Sequence, residues 1–350
     1  MASLIDWDLA ARSAKNLTPP PPHVSRAEAD ETVAELYRDA GLAAAHVAEL
    51  TALIEPPVTA LTRVVDRAGW IDVNAAGLRT VMAPLVDRLA ADNKIGRVAE
   101  TVGGRLTGMQ AGAVLGFLSG KVLGQFEFFD RPAGQLLLVA PNLVTVERQL
   151  GVDPQDFRLW VCLHEVTHRV QFTANPWLSG YMSQALGVLT KESSDDVARV
   201  VGRLADFARG RGESASDDPH SRGILGLLRA VQSEPQREAL DQMLVLGTLL
   251  EGHADHVMDA VGPVVIPSVT TIRSRFDERR HRKQPPLQRL LRALLGIDAK
   301  LSQYTRGKAF VDHVVNRVGM ERFNTVWTGA DTLPRPIEIE YPQRWIDRVL

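Results

Sequence analysis

Apolar residues recur every three or four positions over most of the chain, which is the spacing of amphipathic helices. Ser25 is followed by Glu28 in a capping-box pattern, and this predicts that a helix begins after Ser25. Helical spacing returns over about 72–92 and again over 96–124. These patterns predict a protein that is built mainly from helices.

One short segment has the pattern of a strand instead. Residues 135–140 read QLLLVA and lie between Gly134 and Pro141, two residue types that interrupt regular structure. A short apolar run with such boundaries is typical of a buried strand. We therefore predict a mainly α fold with a small β element.

The clearest helix boundaries surround residues 154–174. Asp153 supplies an N-cap, and Pro154 takes the first helical position, where proline is tolerated. The pair Asn175-Pro176 disfavours helical backbone and ends the segment. The sequence therefore predicts both ends of this helix.

A second capping box precedes another long helix. Ser233 and Gln236 stand around a proline, and the helix is predicted to run to about Gly262. Residues 210–220 are rich in glycine, serine and acidic residues, so they are predicted to form a surface loop. Since the chain shows no internal repeat and no clear linker, it is predicted to form a single domain, 1–350.

Glycine occupies every fourth position from Gly104 to Gly124. On a helix this spacing forms one face along which a second helix can approach closely, as small residues do in membranes. Gln110 and Lys121 interrupt the apolar run, which barely reaches the ~20 residues that a membrane span needs. We therefore predict a buried helix packed along its glycine face, and not a membrane span.

The composition of the chain indicates which partners and which cellular location to expect. The chain has 350 residues, 45% of them hydrophobic, which is enough for a large core. Its formal net charge of −2 gives no attraction to nucleic acid or to an anionic membrane, so neither is expected as a partner. The single cysteine, Cys162, excludes an internal disulfide framework. Since no secretory signal is predicted, a cytoplasmic location is expected, and the oligomeric state stays open.

His164-Glu165-Val166-Thr167-His168 fits the H-E-x-x-H pattern. Two histidines four positions apart lie on one helix face, so both imidazoles can bind a single ion. Glu165 is rotated about a third of a turn from His164, which suits it to act on a water molecule beside the ion. The pattern predicts zinc bound by His164 and His168, with Glu165 as general base. The alternative is two core histidines that are hydrogen-bonded to the backbone.

A catalytic zinc ion usually takes three protein ligands and leaves one position open. Glu251 falls on the apolar face of the helix predicted after Ser233, where a carboxylate needs a partner such as a metal ion. His253 and His256 leave the assignment open, because either one could replace Glu251 as the third ligand. If Glu251 binds, the two histidines become candidates for stabilising an oxyanion, or they are ordinary core or surface residues.

Two segments carry a resemblance to a known family: LHEVTHRVQF at 163–172 and LEGHADHVMD at 250–259. They resemble the zincin-like hydrolases of actinobacteria and related bacteria, one branch of which is linked by name to biosynthesis of a deazaflavin coenzyme. The likeness extends over most of the chain, including LLLVAPNL at 136–143 and AKLSQYTRGKAFV at 299–311. It implies a compact, mostly helical zincin-like metallohydrolase fold.

The resemblance also implies roles for individual residues. The family's metal motif matches His164, Glu165 and His168 directly. In Glu-type zincins, an aspartate four positions after the glutamate ligand accepts a hydrogen bond from the first histidine's outer nitrogen. By that comparison, Glu251 is the third ligand and Asp255 orients a histidine ring.

The residues and the resemblance together favour a zinc-dependent hydrolase, a metallopeptidase of the HExxH type. By analogy with other zincins, a peptide or small amide is the expected substrate. The alternative is a non-catalytic binding or scaffold protein that retains a structural zinc site. A structural site tends to be closed by four protein ligands, and His253 or His256 beside Glu251 would supply the fourth.

Overall fold

The structure, a computed structural model, is mainly helical and contains a three-stranded sheet, as the sequence predicts. It describes residues 5–56, 60–91, 97–129, 131, 133–191, 233–281 and 297–350. The loop predicted at 210–220 lies outside these residues. The chain divides into unit 1, Met1–Ser179 with Ala254–Arg280, and unit 2, Gly180–His253 with His281–Leu350. The single domain over 1–350 stays a prediction.

The helices and strands follow the chain in an order that starts and ends with helices. In sequence they are α1 (Trp7–Leu17), α2 (Arg26–Thr51), β1 (Leu61–Val65), α3 (Arg67–Ala91), α4 (Arg97–Ser119), β2 (Gly124–Glu127), β3 (Gln135–Val139), α5 (Ala140–Leu150), α6 (Pro154–Ala174), α7 (Trp177–Lys191), α8 (Glu234–Val265), α9 (Val269–His281), α10 (Ile297–Val318), α11 (Met320–Phe323), a 3-10 turn (Asn324–Trp327), α12 (Pro336–Glu340) and α13 (Pro342–Val349).

The sheet of unit 1 has β3 at its centre, parallel to β1 and antiparallel to β2. All five residues of β3 are buried, which confirms the strand predicted from its apolar run. Leu61 pairs with Gln135, and Gly124 pairs with Leu138. Neither β1 nor β2 is predicted from the sequence, because neither has a distinctive apolar pattern of its own.

Helix α6 begins and ends where the sequence predicts. Asp153 caps it by accepting a hydrogen bond from the backbone N–H of Asp156 at 3.0 Å, and Pro154 opens its first turn. Its last residue is Ala174, directly before the Asn175-Pro176 pair. Most of its residues are buried, so α6 is a central helix of unit 1 with few positions open to solvent.

The glycine face of α4 packs against α1, as the spacing of four residues predicts. The helix as a whole is not buried as predicted, since Leu106, Met109 and Val114 are exposed. A Cβ atom on Gly108, Gly112 or Gly116 would stand 2.5–2.9 Å from a backbone oxygen of Asp6, Ala10 or Ala14 respectively. Only glycine permits this approach. Within the described ranges, the structure has no helix that combines the length and the apolar character needed to cross a membrane.

Unit 2 contains its own close helix contact and aromatic core. Gly252 on α8 and Gly307 on α10 face each other so closely that a Cβ on either one would overlap the other helix's backbone. The rings of Phe310 and Trp345 meet edge to face with centroids 5.8 Å apart, and Phe323 lies beside Trp345. Helix α8 contributes residues to both units, since the division falls between His253 and Ala254.

Candidate metal centre

His164 and His168 lie one turn apart on α6, and their rings face each other. The two Nε2 atoms are 3.2 Å apart, with the ring planes nearly perpendicular at 87°. Both side chains are half-buried, so they are accessible from one side. The structure therefore brings together the two histidines of the predicted motif.

This spacing fits a shared metal ion. Two nitrogen ligands at ~2.0–2.1 Å from a tetrahedral zinc ion lie roughly 3.3–3.4 Å from each other. The Nε2 atoms of His164 and His168 are within about 0.2 Å of that separation. The donor set is also suitable, because neutral imidazole nitrogens are common zinc ligands.

In each histidine ring the outer nitrogen, Nδ1, contacts a neighbouring side chain. Nδ1 of His168 is 2.9 Å from Oε1 of Gln171, and Nδ1 of His164 is 3.2 Å from Sδ of Met258. Since a carbonyl oxygen and a thioether sulfur only accept hydrogen bonds, both contacts favour the tautomer that carries its proton on Nδ1. In that tautomer both Nε2 atoms are unprotonated, and the 3.2 Å between them suits a cation that is bound by both rings.

The sequence predicts an orienting role for Asp255 and does not reveal Gln171 as the partner of His168. A signal was available, because Gln171 stands three positions after His168 on the same helix and so lies on a neighbouring face. Asp255 is half-buried on α8, one turn before Met258. Its role toward either histidine ring stays a prediction.

Glu165 lies beside the histidines and against the sheet. Its side chain is buried, and its Cγ and Cδ atoms occupy the space over Gly124 of β2. A Cβ on Gly124 would stand 2.6 Å from Cγ of Glu165. The glycine therefore leaves room for the carboxylate on the side of α6 that faces β2.

The remaining predicted residues lie on α8. Glu251 is half-buried in unit 2, and His256 is half-buried in unit 1. His253 is fully buried in unit 2, where its ring stacks on Phe323 at 5.6 Å and meets Trp327 edge-on at 5.4 Å. These contacts are typical of a core histidine, one of the interpretations that the sequence left open.

A buried ionic cluster lies near the N-terminal end of α6. Arg158 donates to both carboxylate oxygens of Glu147, at 2.7 and 3.0 Å, and also pairs with Glu35 of α2. Asp39 adds a third carboxyl, and burial followed by repulsion from Glu35 raises its pKa to about 6. The cluster joins α2, α5 and α6 and so fixes the helix that carries both histidines.

Cys162 lies within the same helix but takes no part in the centre. It is fully buried, and burial raises the pKa of its thiol well above the ordinary value. A protonated, inaccessible thiol is neither a metal ligand nor a nucleophile. Cys162 therefore belongs to the core of unit 1.

Comparison with known proteins extends the likeness to nearly the whole chain. A family model described as zincin-like metallopeptidase matches residues 5–346. A solved structure from Chloroflexus aurantiacus, described as "a putative hydrolase with a novel fold", is 28% identical, with a TM-score of 0.71 and 98% of each chain covered. No curated protein matches the chain.

Proposed function

Because the chain belongs to the zincin-like metallopeptidase family, we propose that it is a zinc-dependent hydrolase that cleaves a peptide or another amide bond. The observation that carries the proposal is the convergence of the His164 and His168 Nε2 atoms at 3.2 Å, with Glu165 next to them on the same helix. Paired imidazoles beside a carboxylate are the arrangement that zinc hydrolysis requires.

We assign the third ligand to Glu251. Its side chain is half-buried on α8, where a carboxylate needs a partner such as a metal ion. Two turns of α8 separate Glu251 from Met258, so their side chains share one helix face. Met258 is the residue whose sulfur contacts His164, which supports the assignment. His253 stacks in an aromatic core, so a closed site with four protein ligands has less support than an open one.

Each residue then has a distinct task. A zinc ion, when bound, supplies Lewis acidity that draws electron density from an oxygen atom of the substrate or of water. The Glu165 carboxylate takes a proton from the attacking water and passes it to the nitrogen of the leaving amine. The contact with Gly124 limits where that carboxylate can lie. Gln171 keeps His168 in the tautomer with a free Nε2 lone pair.

We also propose that the enzyme is cytoplasmic. The single cysteine is buried and excludes a disulfide framework, which fits a reducing compartment. The near-neutral net charge fits a small, uncharged peptide or amide better than a nucleic acid.

The experiment separates metal binding from turnover. The unchanged protein, His168→Ala, Glu165→Gln and the control His313→Ala, an exposed histidine on α10, are purified without added metal. Zinc is measured by elemental analysis, and cleavage of a mixed-sequence peptide library is followed by mass spectrometry. We expect about one zinc per chain in all except His168→Ala, because Glu165 acts on water and does not bind the ion.

Turnover gives the second criterion. We expect library cleavage in the unchanged protein and in His313→Ala, and its loss in Glu165→Gln. A protein that neither contains zinc nor takes it up would refute the metalloenzyme proposal. Loss of zinc from Glu165→Gln would show that the roles of ligand and base are assigned wrongly.

A further inference from the structure

Three phenylalanines form a continuous aromatic group beside the metal-binding face of α6. Phe172 lies on α6, and Phe128 and Phe129 follow directly after β2. Phe128 stacks on Phe172 with ring centroids 4.6 Å apart and ring planes inclined by 17°. The ring centroids of Phe128 and Phe129 are 4.1 Å apart. Phe172 is buried, whereas Phe128 and Phe129 are half-buried, so the group has an inner and an outer side.

The helix places this group one turn from the proposed metal ligands. His164, His168 and Phe172 follow one another in steps of four, which puts them on one face. Four residues correspond to ~6 Å along the helix axis. An extended peptide covers a similar distance in about two residues. The aromatic group is therefore within reach of side chains that flank a bond positioned at the two histidines.

Strand β2 connects Glu165 with the aromatic group. Its first residue, Gly124, lies against Glu165. The ring centroid of its third residue, Phe126, lies 5.5 Å from that of Phe172. The strand therefore follows α6 from the proposed general base toward the phenylalanines. It is an edge strand of the described sheet.

The turn after β2 is fixed by a buried carboxylate. Glu127 accepts a hydrogen bond from the backbone N–H of Phe129 at 2.7 Å, and the Gln135 side chain lies 3.4 Å from its other oxygen. Gly77 on α3 closes the other side, since a Cβ there would stand 2.9 Å from the carboxylate. These contacts hold the Phe128 and Phe129 rings in place before any ligand is bound.

We propose that Phe128 and Phe129, backed by Phe172, bind an aromatic or bulky apolar side chain of the substrate within two residues of the cleaved bond. The proposal rests on the proposed function, since it assumes that the substrate is held at His164 and His168. Core phenylalanines of the same unit, such as Phe157, are fully buried, whereas Phe128 and Phe129 are half-buried. Aromatic rings that are rigidly held and partly exposed favour stacking with another ring.

Two small zinc-binding probes test the proposal by their affinity and not by turnover. Acetohydroxamate and 3-phenylpropionohydroxamate carry the same chelating group, and only the second carries a ring. Their binding to zinc-loaded protein is measured by titration calorimetry. We expect the phenyl compound to bind ~10–100-fold more tightly, as the burial of one aromatic group usually gives.

The variants Phe128→Ala and Phe129→Ala should reduce this preference to within about threefold and leave acetohydroxamate binding unchanged. Phe128→Leu, which keeps apolar volume, should retain part of the preference and also serves if Phe128→Ala does not fold. The control is Phe276→Ala, a half-buried phenylalanine of unit 1 that pairs with Trp160. It should keep the full preference.

The possible outcomes distinguish a failure of the aromatic subsite from a failure of the zinc site. Equal affinity of the unchanged protein for both probes would overturn the aromatic subsite while the zinc site stands. A preference that persists undiminished in Phe129→Ala and in Phe128→Ala, or in Phe128→Leu if Phe128→Ala does not fold, would also overturn it. Protein that holds no zinc and binds neither probe would overturn the proposed function and the subsite together.

Discussion

Gly124 and Glu165 are in such close contact that a Cβ on the glycine would stand 2.6 Å from the glutamate Cγ. The same Cβ would be 3.0 Å from the backbone oxygen of Leu137 on β3, so the strand cannot simply move away. Side chains do not tolerate such distances, and the flexible glutamate would be displaced. A backbone position with no side chain therefore sets the place of the proposed general base.

Gly124→Ala is expected to retain zinc and to lower the hydrolytic rate by ~10-fold or more, because a displacement of about 1 Å at a reacting group can cost up to ~100-fold. Zinc content and library cleavage are measured on the same preparation. The control Gly41→Ala changes an exposed glycine of α2 that has no atom within 4 Å of the added Cβ. Equal activity in both variants would show that the contact does not position Glu165.

Gln171→Ala is expected to weaken zinc binding by ~10–100-fold, because Nδ1 of His168 loses the acceptor that fixes its tautomer. Gln171→Glu, which supplies a carboxylate acceptor at the same place, should restore most of the affinity. Competition with a chromogenic chelator measures both variants. If Gln171→Ala binds zinc as tightly as the unchanged protein, the hydrogen bond has no role in the metal site.

Glu251→Ala is expected to remove most zinc affinity, and Asp255→Ala to lower it by ~10–100-fold, as loss of a residue that orients a ligand does. Glu238→Ala, an exposed position on α8, is the control and should bind zinc normally. The same chelator competition applies. Full affinity in Asp255→Ala, together with a loss in Gln171→Ala, would assign the orienting role to Gln171 alone.

Stability should depend on pH through Asp39, whose pKa is raised to about 6 by burial and then by Glu35. The folded state holds this proton between about pH 4 and pH 6 while the unfolded state releases it. Stability therefore falls as pH rises through that range, by on the order of 2–3 kcal/mol, and the loss is complete above the folded pKa.

Asp39→Asn removes this loss, so the variant should be more stable than the unchanged protein at pH 7.5 by about 1–3 kcal/mol, with a difference that shrinks toward pH 4.5. Urea unfolding at several pH values measures it. The control Asp30→Asn changes an exposed carboxyl on the same helix and should show no such trend. A variant less stable than the parent at pH 7.5 would contradict the prediction.

Local signals account for the parts of the fold that the sequence predicts. The ends of α6 follow from Asp153, Pro154 and the Asn175-Pro176 pair, and β3 follows from an apolar run bounded by glycine and proline. The capping residue Ser25 accepts from the backbone N–H of Glu28 at 3.1 Å, as its spacing predicts. Each of these features is decided by residues close together in the chain.

The parts that were missed depend on contacts between distant residues. The four residues of β2 form a strand because β3 supplies its hydrogen-bond partners, and the segment alone is too short to show a period. Phe128 and Phe172 are far apart in sequence and meet only once the strand lies along α6. Helix α8 continues to Val265, beyond the end predicted near Gly262, because Pro263 does not interrupt its last turn.

The contact between α1 and α4 repeats every four residues, so a shift of α1 by one helical turn would bring similar small residues onto similar glycines. This packing is tight, but it fits several positions of α1 along α4 almost equally well. The position of α1 along α4 is selected by hydrogen bonds that occur at one place only. The Asp6 backbone N–H donates to the Gly104 oxygen at 3.0 Å, and the hydroxyls of Thr18 and Ser119 pair at 3.0 Å at the other end. Together with the ion pairs of Lys15 with Asp72 and of Asp8 with Arg79, these contacts select one register among several that the small residues alone would allow.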